Sequence, residues 1–116
     1  GVRLWIVAMP FLGAALVRLG AAGSRLIVTV DCGAQAFEAI AEARAAGIEV
    51  IVVDHHQCAT TLPDGFAIVN PNRLDEGPDA AQHGNLAAVG VAFLLGAALL
   101  RTLRARGYFA QRAEPD

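Results

Sequence analysis

Apolar runs separated by polar turns dominate this chain and predict four strands. Leu26–Val30 and Ile48–Val53 are short, almost continuously apolar and rich in β-branched residues. Such runs are typical of strands buried on both faces, as in a parallel sheet. Phe66–Val69 predicts a third, shorter strand, and Val2–Met9 predicts one more near the start of the sequence.

Three stretches have the composition and spacing of helices. Leu12–Ala22 carries leucines on one side and ends at Gly23, a residue that suits a left-handed C-terminal cap. Ala34–Ala46 is amphipathic and ends at Gly47. The predicted inner stripe of this second helix consists of Phe37, Ile40, Ala41 and Ala45.

The third predicted helix runs from Leu86 to about Arg106, with Asn85 as its N-cap. Its first turns are apolar on every face, so we expect a covered position in the core. Residues 74–84 before it contain helix-breaking residues and predict a loop. The apolar part of the helix is shorter than the roughly 20 residues of a membrane span, which favours a core element over a membrane segment.

The succession of strand, helix and strand over residues 26–53 predicts a βαβ unit with parallel strands. The predicted fold class is therefore α/β, with a parallel sheet built from βαβ units. Asp31 and Asp54 each stand at the C-terminal end of a predicted strand. Ligands of open α/β sheets bind in the crevice outside these ends, so we expect both carboxylates to face one crevice.

Composition limits the range of partners. The 116-residue chain is 55% hydrophobic and 17% charged, which favours one small domain, or a piece of a larger one, with a well-filled core. Its net charge of −2 gives no basic surface for nucleic acid, although a metal site can hold phosphate without one. Cys32 and Cys58 have no regular spacing and are expected to be free thiols in a reducing compartment.

Asp54, His55 and His56 directly follow the strand predicted at Ile48–Val53. Groups of this kind are costly to desolvate at a buried strand end unless they bind something. Adjacent side chains of an extended segment point to opposite sides, so we expect one histidine to ligate a metal and the other to reach the substrate. Asp54 could accept a hydrogen bond from an imidazole N–H and fix its tautomer. A polar loop with incidental histidines is the alternative.

Two other strand ends carry groups suited to the same site. Asp31, next to the flexible Gly33, could reach a cation in the crevice or could cap the helix that follows. Asn70 and Arg73 follow the third strand; Arg73 could pair bidentately with a phosphate, and a plain surface turn is the alternative. Mixed Asp and His ligands suit a divalent ion such as Mn²⁺, and two such ions could activate water for phosphoester hydrolysis.

Four sequence blocks carry a resemblance: LIVTVDCG (26–33), VIVVDHHQ (50–57), AIVNPNR (67–73) and LAAVGVAFLL (86–95). In this order they resemble the DHH phosphoesterase family and, within it, the RecJ-like exonucleases specific for single-stranded DNA. The resemblance implies that Asp31 and His55 bind metal, that Asp54 supports the histidines and that His56 approaches the scissile phosphate. Asn70 and Arg73 are the candidate substrate contacts.

The resemblance also implies a cofactor and a biological setting. The cofactor is Mn²⁺ or Mg²⁺, with two ions in a complete site. Single-stranded DNA is the expected partner of the full protein, and digestion is expected to run 5′→3′. A cytoplasmic location, no membrane association, and a role in DNA recombination and repair complete the expectation.

The chain departs from the family pattern towards both ends. No Asp-x-Asp pair, the family's first motif, occurs in the sequence, and the fourth motif would lie beyond Asp116. We therefore expect residues 1–109 to form a partial DHH-type catalytic domain, close to inactive alone, and residues 110–116 to be a tail or the start of a linker. Two alternatives are a DHH phosphatase acting on pyrophosphate or very short oligonucleotides, and a non-catalytic α/β module that binds a metal or a partner.

Overall fold

The computed structural model describes residues 11–115, so the strand predicted at Val2–Met9 lies outside the described residues. Four helices and three strands follow one another along this part of the chain. They are α1 (Leu12–Ala21), β1 (Leu26–Val30), α2 (Phe37–Ala45), β2 (Glu49–Val53), β3 (Ala67–Val69), α3 (Pro78–Ala81) and α4 (Ala88–Ala105).

The three strands form one parallel sheet in the order β1-β2-β3. Leu26 pairs with Glu49 and Val30 with Val53, so β1 and β2 run in register over their whole length. The predicted α/β class and the predicted βαβ unit, here β1-α2-β2, are both confirmed. The parallel arrangement places the C-terminal ends of all three strands at the same edge of the sheet.

The core lies on one face of this sheet, against α1 and α2. Alternate strand residues point to the same side, and the register brings those of the three strands together. Leu16 and Ile40 of the two helices are almost fully buried against them. The core residues are Leu12, Leu16, Ile27, Ile40, Ala43, Ile48, Val50, Val52 and Ile68.

The opposite face is less covered than the sequence predicts. Three of the five residues of β2 are buried, Ile51 is half-buried and only Glu49 is exposed, so burial on both faces is largely confirmed for β2. β1 alternates instead, and Leu26, Val28 and Val30 are each about half exposed. The prediction of burial on both faces is therefore wrong for β1 among the described residues, because α1 and α2 pack on one side of it and β2 pairs with one edge.

The predicted α2 has the right position but starts later than predicted. Its predicted inner stripe is right at Ile40 and wrong at Phe37, Ala41 and Ala45, which are exposed. The helix begins at Phe37, three residues after Ala34, and its buried residues are Ile40 and Ala43. Phe37 is more than one-third exposed. Small residues face the neighbouring helix instead, as at Ala39, whose Cβ would lie 3.6 Å from a Cβ built on Gly13 of α1.

The C-terminal helix differs most from its prediction. α4 begins at Ala88, not at Leu86, and Ala87 rather than Asn85 occupies its N-cap position. The stretch predicted as loop contains the short α3, which starts at Pro78. Proline suits this position because the first residues of a helix have no intrahelical acceptor for their N–H groups, so its missing N–H costs no hydrogen bond.

α4 is also less covered than predicted. It contacts β2, and its first turns bury only Ala88 and Val91. By length and composition its 18 residues could cross a membrane, and 11% of them are buried. Because only its first turns meet the described sheet, the prediction of a covered helix is wrong for the described residues. The exposed apolar side chains of α4 are Val89, Phe93, Leu94 and Leu99.

Candidate metal centre

The strand ends place Asp31 and Asp54 side by side. The Asp31 N–H donates to the Val53 carbonyl at 2.9 Å, and the Asp54 N–H donates to the Val69 carbonyl at 3.0 Å. Each aspartate thus continues the ladder by one bond before the chain turns away from the sheet. The predicted crevice at the carboxyl edge is therefore formed by the backbone of the neighbouring strands.

Asp31 adopts a backbone conformation that few residues tolerate. Its φ of 63° makes it the one non-glycine residue with positive φ among the described residues. Aspartate accepts this left-handed region more readily than most side chains. The turn exposes the carboxylate, and its Oδ1 lies 3.1 Å from Nε2 of His55. Since α2 has no side-chain cap, the alternative that Asp31 caps this helix is wrong.

Asp54 is the buried centre of the cluster, with 1% of its surface exposed. Its Oδ2 accepts the Ala34 N–H at 3.0 Å. Its Oδ1 accepts the N–H groups of His55 at 2.8 Å and His56 at 3.4 Å, and lies 2.6 Å from Nδ1 of His56. Burial alone would raise the pKa of Asp54, but these hydrogen bonds outweigh it and hold the pKa below its ordinary value.

His56 is oriented by Asp54 through its Nδ1. A carboxylate can only accept, so the 2.6 Å contact places the proton on Nδ1. This hydrogen bond, and then the charge of Asp54, raise the pKa of His56. The ring remains 58% exposed and lies 4.5 Å from the His55 ring, centroid to centroid. The Nε2 of His56 is thus the ring nitrogen that Asp54 does not hold, and its approach to a substrate phosphate stays a prediction.

The four side chains Asp31, Asp54, His55 and His56 form a donor set that fits a divalent cation. One ligand atom from each lies within 4.8 Å of all the others. Neighbouring ligands of an octahedral ion at about 2.1 Å lie about 3 Å apart, which matches the 3.1 Å between Asp31 Oδ1 and His55 Nε2. Carboxylate and imidazole donors together suit Mn²⁺ and similar ions. The residues present therefore fit a metal.

Asn70 and Arg73 already have protein partners. The Asn70 amide donates to the His56 carbonyl at 2.9 Å. The Arg73 guanidinium makes two hydrogen bonds to the Asp75 carboxylate, at 2.9 and 2.7 Å, and a third to the Ile68 carbonyl at 2.8 Å. A phosphate contact by Arg73 stays a prediction, and the phosphate would have to displace Asp75.

The two cysteines are free among the described residues, as predicted. Burial, followed by the negative charge of Asp54, raises the pKa of both the Cys32 and the Cys58 thiol. A thiol kept protonated is a poor nucleophile and a poor metal ligand. The chemistry of the site is therefore left to the oxygen and nitrogen donors.

The backbone conformation of Gly33 directs the N–H of Ala34 towards the Asp54 carboxylate. We expect Gly33→Ala to lower the free energy of unfolding by about 2 kcal/mol. Its φ is +111°, and a Cβ there would lie 3.0 Å from both Thr29 Oγ1 and Val52 Cγ1. Urea denaturation followed by circular dichroism measures the effect. Gly96→Ala is the matched control, because its Cβ would meet nothing within 4 Å and alanine favours the helix. Equal stability of the two variants would contradict the role of Gly33.

Two hydrogen-bond donors of the site, the Ala34 N–H and the Asn72 amide, were not predicted from the sequence. The Ala34 N–H has no side-chain signature, and only the glycine before it signals a close backbone approach. Asn72 donates its amide to the His55 carbonyl. The repeated Asn in Asn70-Pro71-Asn72 is the one signal for it, since asparagine and proline in succession mark a tight turn with side-chain-to-backbone bonds.

Comparison with known proteins gives a consistent result. Residues 3–112 match the family model described as the DHH family, N-terminal domain. The single-stranded-DNA-specific exonuclease RecJ of Salmonella typhimurium is 50% identical over 93 residues, which are 79% of this chain and 15% of the relative. The protein of the same name from Escherichia coli is 47% identical over 92 residues, again 79% of this chain and 15% of the relative. The chain therefore spans about a seventh of the length of these relatives.

A solved structure agrees with the sequence matches. The crystal structure of RecJ in complex with Mn²⁺ from Thermus thermophilus has a TM-score of 0.51 and 34% identity. The match covers 78% of this chain and 12% of that one. The resemblance carried by the four sequence blocks is thus confirmed at the level of family and fold.

Proposed function

This chain belongs to the DHH family, and we propose that it forms part of the metal-dependent catalytic core of a 5′→3′ exonuclease acting on single-stranded DNA. One observation carries the proposal. The cluster of Asp31, Asp54, His55 and His56 lies at the carboxyl edge of a parallel sheet, in a chain whose similar proteins are named single-stranded-DNA-specific exonucleases. The expected setting is cytoplasmic DNA recombination and repair.

We assign the metal to Asp31 and His55, which present their donor atoms 3.1 Å apart on the open side of the cluster. Mn²⁺ or Mg²⁺, two ions in the complete site, would activate water and stabilise charge on a phosphoryl oxygen. A metal ion bound by both residues would take the place of the present contact between His55 Nε2 and Asp31 Oδ1.

Asp54 and His56 act together on the substrate side. Asp54 stays ionised because its hydrogen bonds hold its pKa low, and it keeps the His56 proton on Nδ1. Protonated His56 can then donate from Nε2 to an oxygen of the scissile phosphate or to the leaving oxygen. The raised pKa of His56 increases the fraction that carries this second proton near neutral pH.

Little of the proposed DNA affinity comes from the charge of this chain. Its net charge is −2, so general attraction to the phosphate backbone is small. Recognition here is expected to be local, through metal, His56 and polar groups at the strand ends. Asn70 and Arg73 remain the proposed further contacts to the DNA. Each is already hydrogen-bonded within the protein, Asn70 to the His56 carbonyl and Arg73 to Asp75.

The test is hydrolysis of 5′- and 3′-labelled single-stranded DNA by the full-length gene product, with Mn²⁺ and with EDTA. We expect mononucleotides to be released from the 5′ end, in Mn²⁺ only, and slower attack on duplex DNA. Hydrolysis of pyrophosphate or dinucleotides without attack on longer strands would instead support the small-substrate phosphatase. Mn²⁺ binding without any hydrolysis would support the binding module.

The isolated chain of 116 residues is the internal control for this assay. The described residues provide four side-chain donors, so most of the ligands of two six-coordinate ions would have to be water. We expect the chain alone to bind Mn²⁺ weakly and to hydrolyse DNA very slowly or not at all.

A further inference from the structure

We infer that Asn70 and Asn72 are positioning residues, which fix the backbone of His55 and His56 and thereby the directions of both rings. The inference rests on the proposed function, because it assigns these rings to metal and substrate. It gives the asparagines a task different from substrate contact. The two asparagines directly follow β3. The histidine segment that they contact lies outside the strands and helices, so no hydrogen bond of regular secondary structure fixes it.

Asn70 is buried, with 5% of its surface exposed, and both ends of its amide are bonded. Its Nδ2 donates to the His56 carbonyl at 2.9 Å, and its Oδ1 accepts the Asn72 N–H at 2.8 Å. A buried amide left without partners costs about 1–3 kcal/mol. Asn70 is thus fixed in orientation and can in turn fix the peptide group that follows His56.

Asn72 holds the preceding carbonyl and links it to a second loop. Its Nδ2 donates to the His55 carbonyl and, at 3.3 Å, to the Gly84 carbonyl. A Cβ on Gly84 would lie 2.8 Å from Asn72 Oδ1, so the loop after α3 lies directly against this amide. The contact ties the histidine segment to the loop that leads into α4.

Together with Asp54, the two asparagines satisfy all four main-chain polar groups of the histidine pair. Asp54 accepts the N–H groups of His55 and His56. Asn72 and Asn70 donate to the carbonyls of the same two residues. The peptide plane between His55 and His56 is thus held on both sides, by Asn72 at its carbonyl and by Asp54 at its N–H, and the planes before and after it are each held at one group. The ring positions follow from these planes, since a side chain leaves its Cα in a direction set by the backbone.

The chemistry of the pair explains why both residues are asparagine. Only a side chain that donates can bind a carbonyl oxygen, and Asn70 must also accept the Asn72 N–H. An aspartate at either position would place a carboxylate against a carbonyl oxygen. Pro71 between them has a fixed φ, which limits the conformations of the turn.

The experiment uses Asn70→Ala and Asn72→Ala in the full-length gene product, with Asn85→Ala, an exposed asparagine of the same chain, as the matched control. Calorimetry measures Mn²⁺ affinity, single-strand hydrolysis gives kcat and KM, and NMR gives the ring resonances of His55 and His56 without metal. We expect Mn²⁺ affinity and kcat to fall about 10–100-fold in both variants, the usual effect of removing a residue that orients a ligand. KM should stay within twofold for Asn72→Ala, which is not a proposed substrate contact. Both ring resonances should shift in each variant, and Asn85→Ala should match the wild type.

Each outcome decides the inference. Folded variants with wild-type Mn²⁺ affinity, kcat and ring resonances would overturn it, as would a lowered melting temperature without these changes. If Asn70→Ala fails to fold, the measurements on Asn72→Ala alone test the inference, since Asn72 is only half-buried and its replacement is better tolerated. A wild type that binds Mn²⁺ but cleaves no DNA would sink the proposed function, while the affinities and ring resonances of the variants would still decide the positioning role. A wild type that binds no Mn²⁺ leaves the decision to the ring resonances.

Discussion

His55→Ala in the full-length gene product is expected to lower kcat/KM for single-stranded DNA by about 10³-fold or more. The substitution removes one of the two donor atoms that lie 3.1 Å apart on the open side of the cluster. Asp31→Asn removes the other donor's charge and should cause a loss of similar size. Asparagine tolerates the φ of 63° at this position, so the second variant keeps the turn and tests the charge alone.

Mn²⁺ titration calorimetry and the nuclease assay together measure this effect. Both variants should lose Mn²⁺ affinity, and excess Mn²⁺ should restore part of the activity of Asp31→Asn. His83→Ala is the matched control, since His83 is exposed and lies outside the cluster. Undiminished activity in both variants would refute the site, and loss of activity in His83→Ala would show that the assay reports general damage.

Asp54→Ala is expected to lower the free energy of unfolding by about 3 kcal/mol at neutral pH. The carboxylate is almost fully buried and accepts hydrogen bonds from Ala34, His55 and His56. Its removal leaves these donors without their acceptor. Asp54→Asn should cost less, because the amide oxygen keeps part of the acceptance. Denaturant unfolding measures both, and Glu38→Ala, an exposed acid in the first turn of α2, is the control.

Asp54→Asn should also change how the free energy of unfolding depends on pH. The pKa of Asp54 is lowered in the folded state, so its contribution is complete above the ordinary value of 3.8 and is lost as the pH falls through the folded pKa. The pKa of His56 is raised, so its contribution is present below 6.5 and is lost as the pH rises through the folded pKa. Asp54→Asn should remove both dependences. An unchanged acid limb in Asp54→Asn would contradict this account.

The sheet and the placing of the site could be predicted because both depend on patterns within short stretches. Leu26–Val30 and Ile48–Val53 are apolar enough to be strands in any α/β arrangement, and their parallel pairing follows from the helix between them. A parallel sheet brings its carboxyl ends together, so the proximity of Asp31 and Asp54 followed from topology alone.

The errors arise where tertiary contacts outweigh local composition. α2 starts late because the Ala34 N–H is bonded to Asp54, twenty residues away in sequence, and not within a helix. Its inner face includes Ala39 and Ala43 because α1 approaches closely, whereas the prediction placed Phe37 there. The predicted N-cap at Asn85 is also wrong, because the helix begins two residues later than predicted and Ala87 occupies the N-cap position.

The hydrogen bonds that shape the site have a consequence for the order in which the chain folds. They join residues 14, 17, 20 and 24 positions apart, and none of these can form within a hairpin or a single helical turn. Loop-closure entropy must be lost at each crossover before any of these contacts compensates for it. We therefore expect the histidine pair to reach its final geometry only after both parallel pairings have closed, which would make this edge of the sheet one of the last parts of the chain to fold.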